Sequence, residues 1–185
     1  YEQALEVAEK LIKYSKSVQT GSYELVGYFN LKAVILNGLE QYQDASKEFL
    51  SALSLLNQMN DKRIVYRATT MNLGVCYELM GEMGLSYKYL SLALQTEKDL
   101  SMPFSKGLST RYKYLGQYFN TQKYPEKSLM YYDSALWTYL GHFGEDVFEF
   151  PDKEIIEPNY EALNLLRNKV RGFIKVGENS KNPLP

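Results

Sequence analysis

Cys76 and His142 are the only cysteine and the only histidine in this 185-residue chain, and they are the residue types of a nucleophile and its general base. His142 also stands beside Glu145, Asp146 and Glu149, the one stretch where a metal-binding cluster could be sought. A third chemical feature is a run of cations, Arg167, Lys169, Arg171 and Lys175. Each has a plainer reading. A free cysteine is usually a small buried apolar residue. A single imidazole among acids in a loop is a poor metal site. Cations near a helix C-terminus are favoured by the helix dipole and stay solvated. No GKS or GKT, HExxH or GxSxG occurs in the sequence. The expectation is a chain that is not an enzyme and takes no catalytic metal or cofactor.

Composition narrows the classes further. Hydrophobic residues make up 45% of the chain, enough for a packed domain or a short repeat array. The 21 Lys and Arg nearly balance the 22 Asp and Glu, so no strong field favours nucleic acid or an anionic membrane surface as partner. No apolar run has the length of a membrane span, and no signal-like segment is visible. A single cysteine excludes an intramolecular disulfide and leaves the compartment open, leaning to the cytoplasm. The start at Tyr1, without Met and inside an apparent helix, reads as a fragment of a larger protein.

The elements that must position any site are set by an internal repeat. Ala4, Ala45, Ser86 and Ser128 recur at spacings of 41, 41 and 42. Four positions on come Ala8, Phe49, Leu90 and Tyr132; three further stand Leu11, Ala52, Ala93 and Ala135, each followed by Ile12, Leu53, Leu94 or Leu136. Offsets of four and three place these columns on one helical face. Upstream of them, Ala33, Gly74 and Gly116 keep the same period and are followed by Leu36, Tyr77 and Phe119. Glycine in mid-helix costs roughly 1 kcal/mol, so its recurrence in step predicts a second helix packed closely against it. Cys76 and His142 fall in different parts of this map, which separates the supposed nucleophile from its base.

These residues resemble the tetratricopeptide repeat, with its W-x2-L-G-x2-Y, A-x3-F and P signature. Asn72-Leu73-Gly74-Val75-Cys76-Tyr77 supplies the first half, and Tyr42 to Ala45 through Phe49 to Ala52-Leu53 the second. Departures are Lys32 in place of leucine, Phe29, Thr70 and Tyr112 in place of tryptophan, and a missing terminal proline. The period also exceeds the length of about 34 residues usual for the family, which implies longer helices. The resemblance implies an all-α solenoid, an α-α superhelix of antiparallel helix pairs with a C-terminal capping helix. The expected map is a single domain over 1–176: a half repeat at 1–17 and repeats at 22–58, 62–100 and 103–140. Asp61, Pro103 and Pro125 would start helices, and Gly81 and Gly84 would flank a hairpin turn. A loop follows at 141–157, whose Phe143, Phe148 and Phe150 would dock on the array, then a capping helix at 158–176 and a tail at 177–185.

What the resemblance implies for function is a peptide or protein partner held as an extended segment in a concave groove lined by the first helices. Counting Ala33, Gly74 and Gly116 as the eighth position of each unit, the groove residues are Asn30, Val34 and Asn37, then Met71, Asn72, Val75 and Glu78, then Lys113, Tyr114, Gln117 and Asn120. Amide side chains carry donor and acceptor together and so can pair with any peptide backbone. Asn72 is the sharpest candidate. Val34 and Val75 occupy ninth positions that hold asparagine in carboxylate clamps, which disfavours recognition of chaperone tails. The alternative reading is a sensing or regulatory repeat domain of a bacterial signalling protein, or of a protein associated with a caspase-like protease.

Overall fold

The computed structural model describes residues 1–18, 21–141 and 160–180. Among them, eight helices and no strands are found: α1 (Glu2–Ser17), α2 (Ser22–Gly38), α3 (Tyr42–Gln58), α4 (Ile64–Leu79), α5 (Met83–Leu100), α6 (Lys106–Thr121), α7 (Pro125–Leu140) and α8 (Tyr160–Ser180). The all-α, paired-helix expectation holds. The chain divides into two compact units, 1–96 and 97–185, with the boundary inside α5.

In the first unit, the recurring columns become the core. Ala8, Ala45, Phe49, Ala52, Leu73 and Ala93 are all fully buried. Small side chains at Ala33 and Gly74 let the paired helix approach: a Cβ added at Gly74 would stand 2.8 Å from Leu90 Cγ and 3.0 Å from the Leu90 backbone nitrogen. Burial of a side chain the size of Phe49 contributes about 1.5–3 kcal/mol, so these columns carry the stability of the stack. Cys76 belongs to the same core. Its thiol donates to the Tyr42 carbonyl at 3.2 Å, and burial pushes its pKa up to about 11, which makes it a structural residue rather than a thiolate nucleophile.

Lys32, the departure from leucine, is explained by ion pairing. Its ammonium lies 2.9 Å from Glu48 on α3 and 3.2 Å from Glu9 on α1. Burial opposes its charge, yet the hydrogen bonds to Glu48 and Glu9 outweigh that and hold its pKa above the ordinary lysine value.

The turns repeat as regularly as the helices. Glu40, Gly81 and Lys123 all adopt positive φ, at 61°, 80° and 61°, and recur with the same period as the helix columns. Each lies just past the end of a first helix and donates its N–H to the carbonyl of Asn37, Glu78 or Asn120. The next residue donates to Leu36, Tyr77 or Phe119, closing the helix end as in a Schellman motif.

In the second unit, α6 pairs with α7, and a Cβ at Gly116 would meet the Tyr132 ring at 2.9 Å. Ser128 donates to the Gly116 carbonyl and Ser109 to that of Ala135, tying the pair together. α8 then runs antiparallel to α7: Ala162 and Leu165 pack with Ala135 and Leu136, the Lys169 ammonium lies 2.6 Å from Asp133, and Gly172 rests against Leu129.

Several boundaries differ from the sequence map. α6 opens at Lys106 rather than 103, because the Ser105 hydroxyl accepts from the Leu108 N–H and caps the helix there. α4 begins at Ile64, with Asp61 accepting from the Arg63 N–H just ahead of it. α5 opens at Met83, one residue ahead of the expected start at Gly84. α8 continues past Val176 to Ser180, so the first part of the expected tail is helical. His142, Phe143, Glu145, Asp146, Phe148, Glu149, Phe150 and Pro158 lie outside the described residues, as do nearly all of the loop expected at 141–157 and residues 181–185 of the tail.

Candidate functional site

The residues expected to contact a partner divide between the two units. Asn30, Asn37, Asn72 and Glu78 stand on α2 and α4 of the first; Lys113, Tyr114, Gln117 and Asn120 stand on α6 of the second.

In the first unit, Asn30 and Asn72 come together. They line a cleft of about 270 Å³ with Gly27, Ile64, Val65, Ala68 and Thr69. The walls are largely apolar, and Ile64 keeps 68% of its surface exposed, an unusual position for an isoleucine in a packed array. The Asn30 amide is fixed: its Nδ2 donates to the Val26 carbonyl at 3.0 Å, and its Oδ1 accepts from the Thr69 hydroxyl at 2.9 Å. Asn30 therefore clasps α2 to α4 and has one N–H left to offer. Val34 is exposed, Asn37 and Glu78 are half-buried, and the Asn37 Oδ1 is buried without a hydrogen bond.

Sequence reasoning passed over the floor of this cleft. Gly27 and Ala68 are separated by the same period as the core columns, at the second position of their units, and their small size leaves the space open. A Cβ added at Gly27 would meet nothing within 4 Å. That column of small residues was legible. Ile64 and Val65 precede the repeat columns and had no such signal.

The second unit presents a different arrangement. Lys113 donates to Glu161 at 2.7 Å, and the Asn120 Oδ1 accepts from Lys175 at 2.6 Å. Two of the four expected contacts on α6 are thus engaged by α8, the helix that follows α7 among the described residues. Tyr114 and Gln117 are half-buried on the same helix, with the Lys113 ammonium 5.8 Å from the Tyr114 ring centre.

No group of three or more His, Cys, Asp or Glu side chains able to hold a metal ion is found among the described residues, and none of their helices is long and apolar enough to cross a membrane. A second cleft of about 480 Å³, in the first unit, is lined by Glu40, Gln41, Tyr42, Gln43, Asp44, Leu79, Met80 and Glu82. Its Asp44 carboxyl is held below the usual range by the hydrogen bond and charge of Lys47.

No protein-family model matches the sequence, and no curated protein matches it. Solved structures do. The chain is similar to BtubC (BKLC) from P. vanneervenii, with a TM-score of 0.71 at 15% identity, over 100% of this chain and 76% of that one. It is also similar to a Podosopora anserina protein assigned as a kinesin light chain with nearly identical TPR-like repeats, with a TM-score of 0.68 at 11% identity, over 95% of this chain and 88% of that one. At such identities the likeness concerns architecture alone: the chain has the fold of the tetratricopeptide-like helical repeat proteins.

Proposed function

We propose that this chain is a protein- or peptide-interaction module, and that the face formed by α2 and α4 holds an extended segment of its partner. The observation that carries this reading is the pairing of Asn30 and Asn72 at an apolar cleft with an exposed Ile64. An extended backbone needs a donor and an acceptor at each residue, and an asparagine amide offers both. Between such anchors, an aliphatic side chain of the partner would cover Gly27, Ala68, Ile64 and Val65, surface that is otherwise wetted at a cost of about 25 cal/mol per Å². The near-neutral charge of the chain favours a partner recognised by backbone and apolar contacts rather than by charge.

The other candidates contribute unequally in this reading. Asn37 and Glu78 extend the polar lining of the first unit; Tyr114 and Gln117 are the contacts that α6 offers in the second. Lys113 and Asn120 serve the fold through α8, and partner binding does not depend on them. The test is selection of phage-displayed random peptides on the immobilised protein, followed by titration calorimetry of the enriched peptide. Asn72→Ala and Ile64→Asp should each weaken binding tenfold or more, whereas Lys113→Ala should leave it within twofold. Equal affinity for all of these variants would overturn the reading.

A further inference from the structure

Gly27 is a mid-helix glycine that packing does not explain. Glycine weakens a helix interior relative to alanine, so it stands there at a cost. At Gly74 and Gly116 a Cβ would lie 2.8 Å from Leu90 and 2.9 Å from the Tyr132 ring, and the crossing helix accounts for both. Gly27 lies well inside α2, yet a Cβ placed on it has nothing within 4 Å. The space it leaves is the cleft of about 270 Å³ walled on the α4 side by Ile64, Val65 and Ala68.

The seam between α2 and α4 is closed on either side of that space. Toward the start of α2, Arg63 donates to the Tyr23 hydroxyl and lies over the Tyr23 ring, 5.4 Å from its centre, while Asp61 holds the guanidinium at 2.9 Å. Toward the end of α2, the Thr69 hydroxyl donates to Asn30 at 2.9 Å. Gly27 stands between these two clasps. From Tyr23 to Asn30 the helix advances only about 10 Å, at 1.5 Å per residue.

We infer, resting on the peptide-binding reading of this face, that Gly27 sets the specificity of the cleft by keeping a socket for one aliphatic side chain of leucine size. An extended segment lying along the seam turns every second side chain to the same face, about 6.6 Å apart. One such group enters between the clasps, and the next on that face meets Tyr23 with Arg63 or Asn30 with Thr69. Gly27, Ile64, Val65 and Ala68 offer no polar side chain, so an aliphatic group gains by leaving water there, whereas a charged or amide group would lose hydration without replacement. The space is also smaller than the roughly 300–1,000 Å³ of small-molecule sites, which suits a single side chain.

Exchanging size between protein and peptide tests the socket. Peptides enriched from a random phage library on the immobilised protein should share one leucine-sized aliphatic position. Replacing that residue with alanine should weaken binding tenfold or more by titration calorimetry. Gly27→Leu fills the socket from the protein side: it should weaken the leucine peptide tenfold or more, while binding the alanine peptide at least as tightly as the unmodified chain does. Gly84→Leu also adds a side chain at a helical glycine with open space, but outside the cleft, and should leave both affinities within twofold. Circular dichroism checks folding; should Gly27→Leu not fold, Gly27→Ala takes its place and should weaken the leucine peptide threefold or more while sparing the alanine peptide. Enriched peptides with no aliphatic position in common, full affinity of the leucine peptide for the filled socket, or equal weakening of both peptides would overturn the inference. In each of those cases Asn72→Ala separates the two claims: if it weakens binding, the groove stands without the socket, and if it does not, the groove reading falls as well.

Discussion

Gly74 lies so close to Leu90 that a Cβ placed on it would sit 2.8 Å from the leucine Cγ, whereas the same atom on Gly27 would touch nothing. Both glycines are inside helices, where alanine is favoured by about 1 kcal/mol. Gly27→Ala should therefore stabilise the protein by about 1 kcal/mol. At Gly74 the overpacking cost of about 1–3 kcal/mol exceeds that gain, so Gly74→Ala should be a net loss of about 1 kcal/mol. Urea denaturation of the two variants checks the opposite signs, with unchanged m values as the control.

The turn column gives a second pair of opposite effects. Glu40 and Lys123 hold φ near 61°, where a side chain costs roughly 1–2 kcal/mol and glycine nothing comparable. Replacing either with glycine should raise stability by up to about 1 kcal/mol, after the added entropy of the unfolded chain is subtracted. Gly81→Ala, at φ 80°, should lower it by about 1 kcal/mol in the same denaturation series.

Lys169 is fully buried, and its ammonium lies 2.6 Å from the Asp133 carboxylate. Asp133→Ala leaves the ammonium without that carboxylate, and removing one member of a buried pair costs about 3–5 kcal/mol. The double variant Asp133→Leu with Lys169→Met should recover most of this loss, because neither charge is then buried. A double-mutant cycle from urea midpoints measures it; a double variant no better than Asp133→Ala would show that the loss arises from packing.

Asp61 contributes to the loss of stability in acid. Hydrogen bonds from the Arg63 side chain and backbone hold its carboxyl below the usual aspartate value. A depressed folded pKa means stability that is present above the unfolded pKa and lost as pH falls through the folded one. Asp61→Asn should therefore lose stability at neutral pH and show a shallower decline on acidification than the unmodified chain. Thermal melts between neutral and strongly acidic pH compare the two slopes.

Much of the fold was legible because the repeat columns are physical necessities: helices that cross closely need small residues, and three glycine or alanine positions in step reported that crossing. The bounds of α2, α3 and α7 followed from the same pattern. At α6, Pro103 is a good first-turn residue, but the Ser105 cap competes with it and wins. At the other end, Gly177 weakens α8 without ending it, since no proline comes before Pro183. The candidate groove was legible only as a set of positions. The use of Asn30 by Thr69 depends on how α2 meets α4, and the engagement of Lys113 and Asn120 depends on where α8 seats against α6, neither of which leaves a mark in local spacing.

The central claim, that α2 and α4 form the partner-binding face, is tested most directly by nitrogen-15 NMR of the protein titrated with a peptide enriched from a random library. The account predicts that the side-chain amide signals of Asn72 and Asn30 shift first, together with backbone signals of Gly27, Ile64, Val65 and Ala68. Peptide-induced shifts confined to other residues, with the Asn30 and Asn72 amides unmoved at saturation, would contradict it.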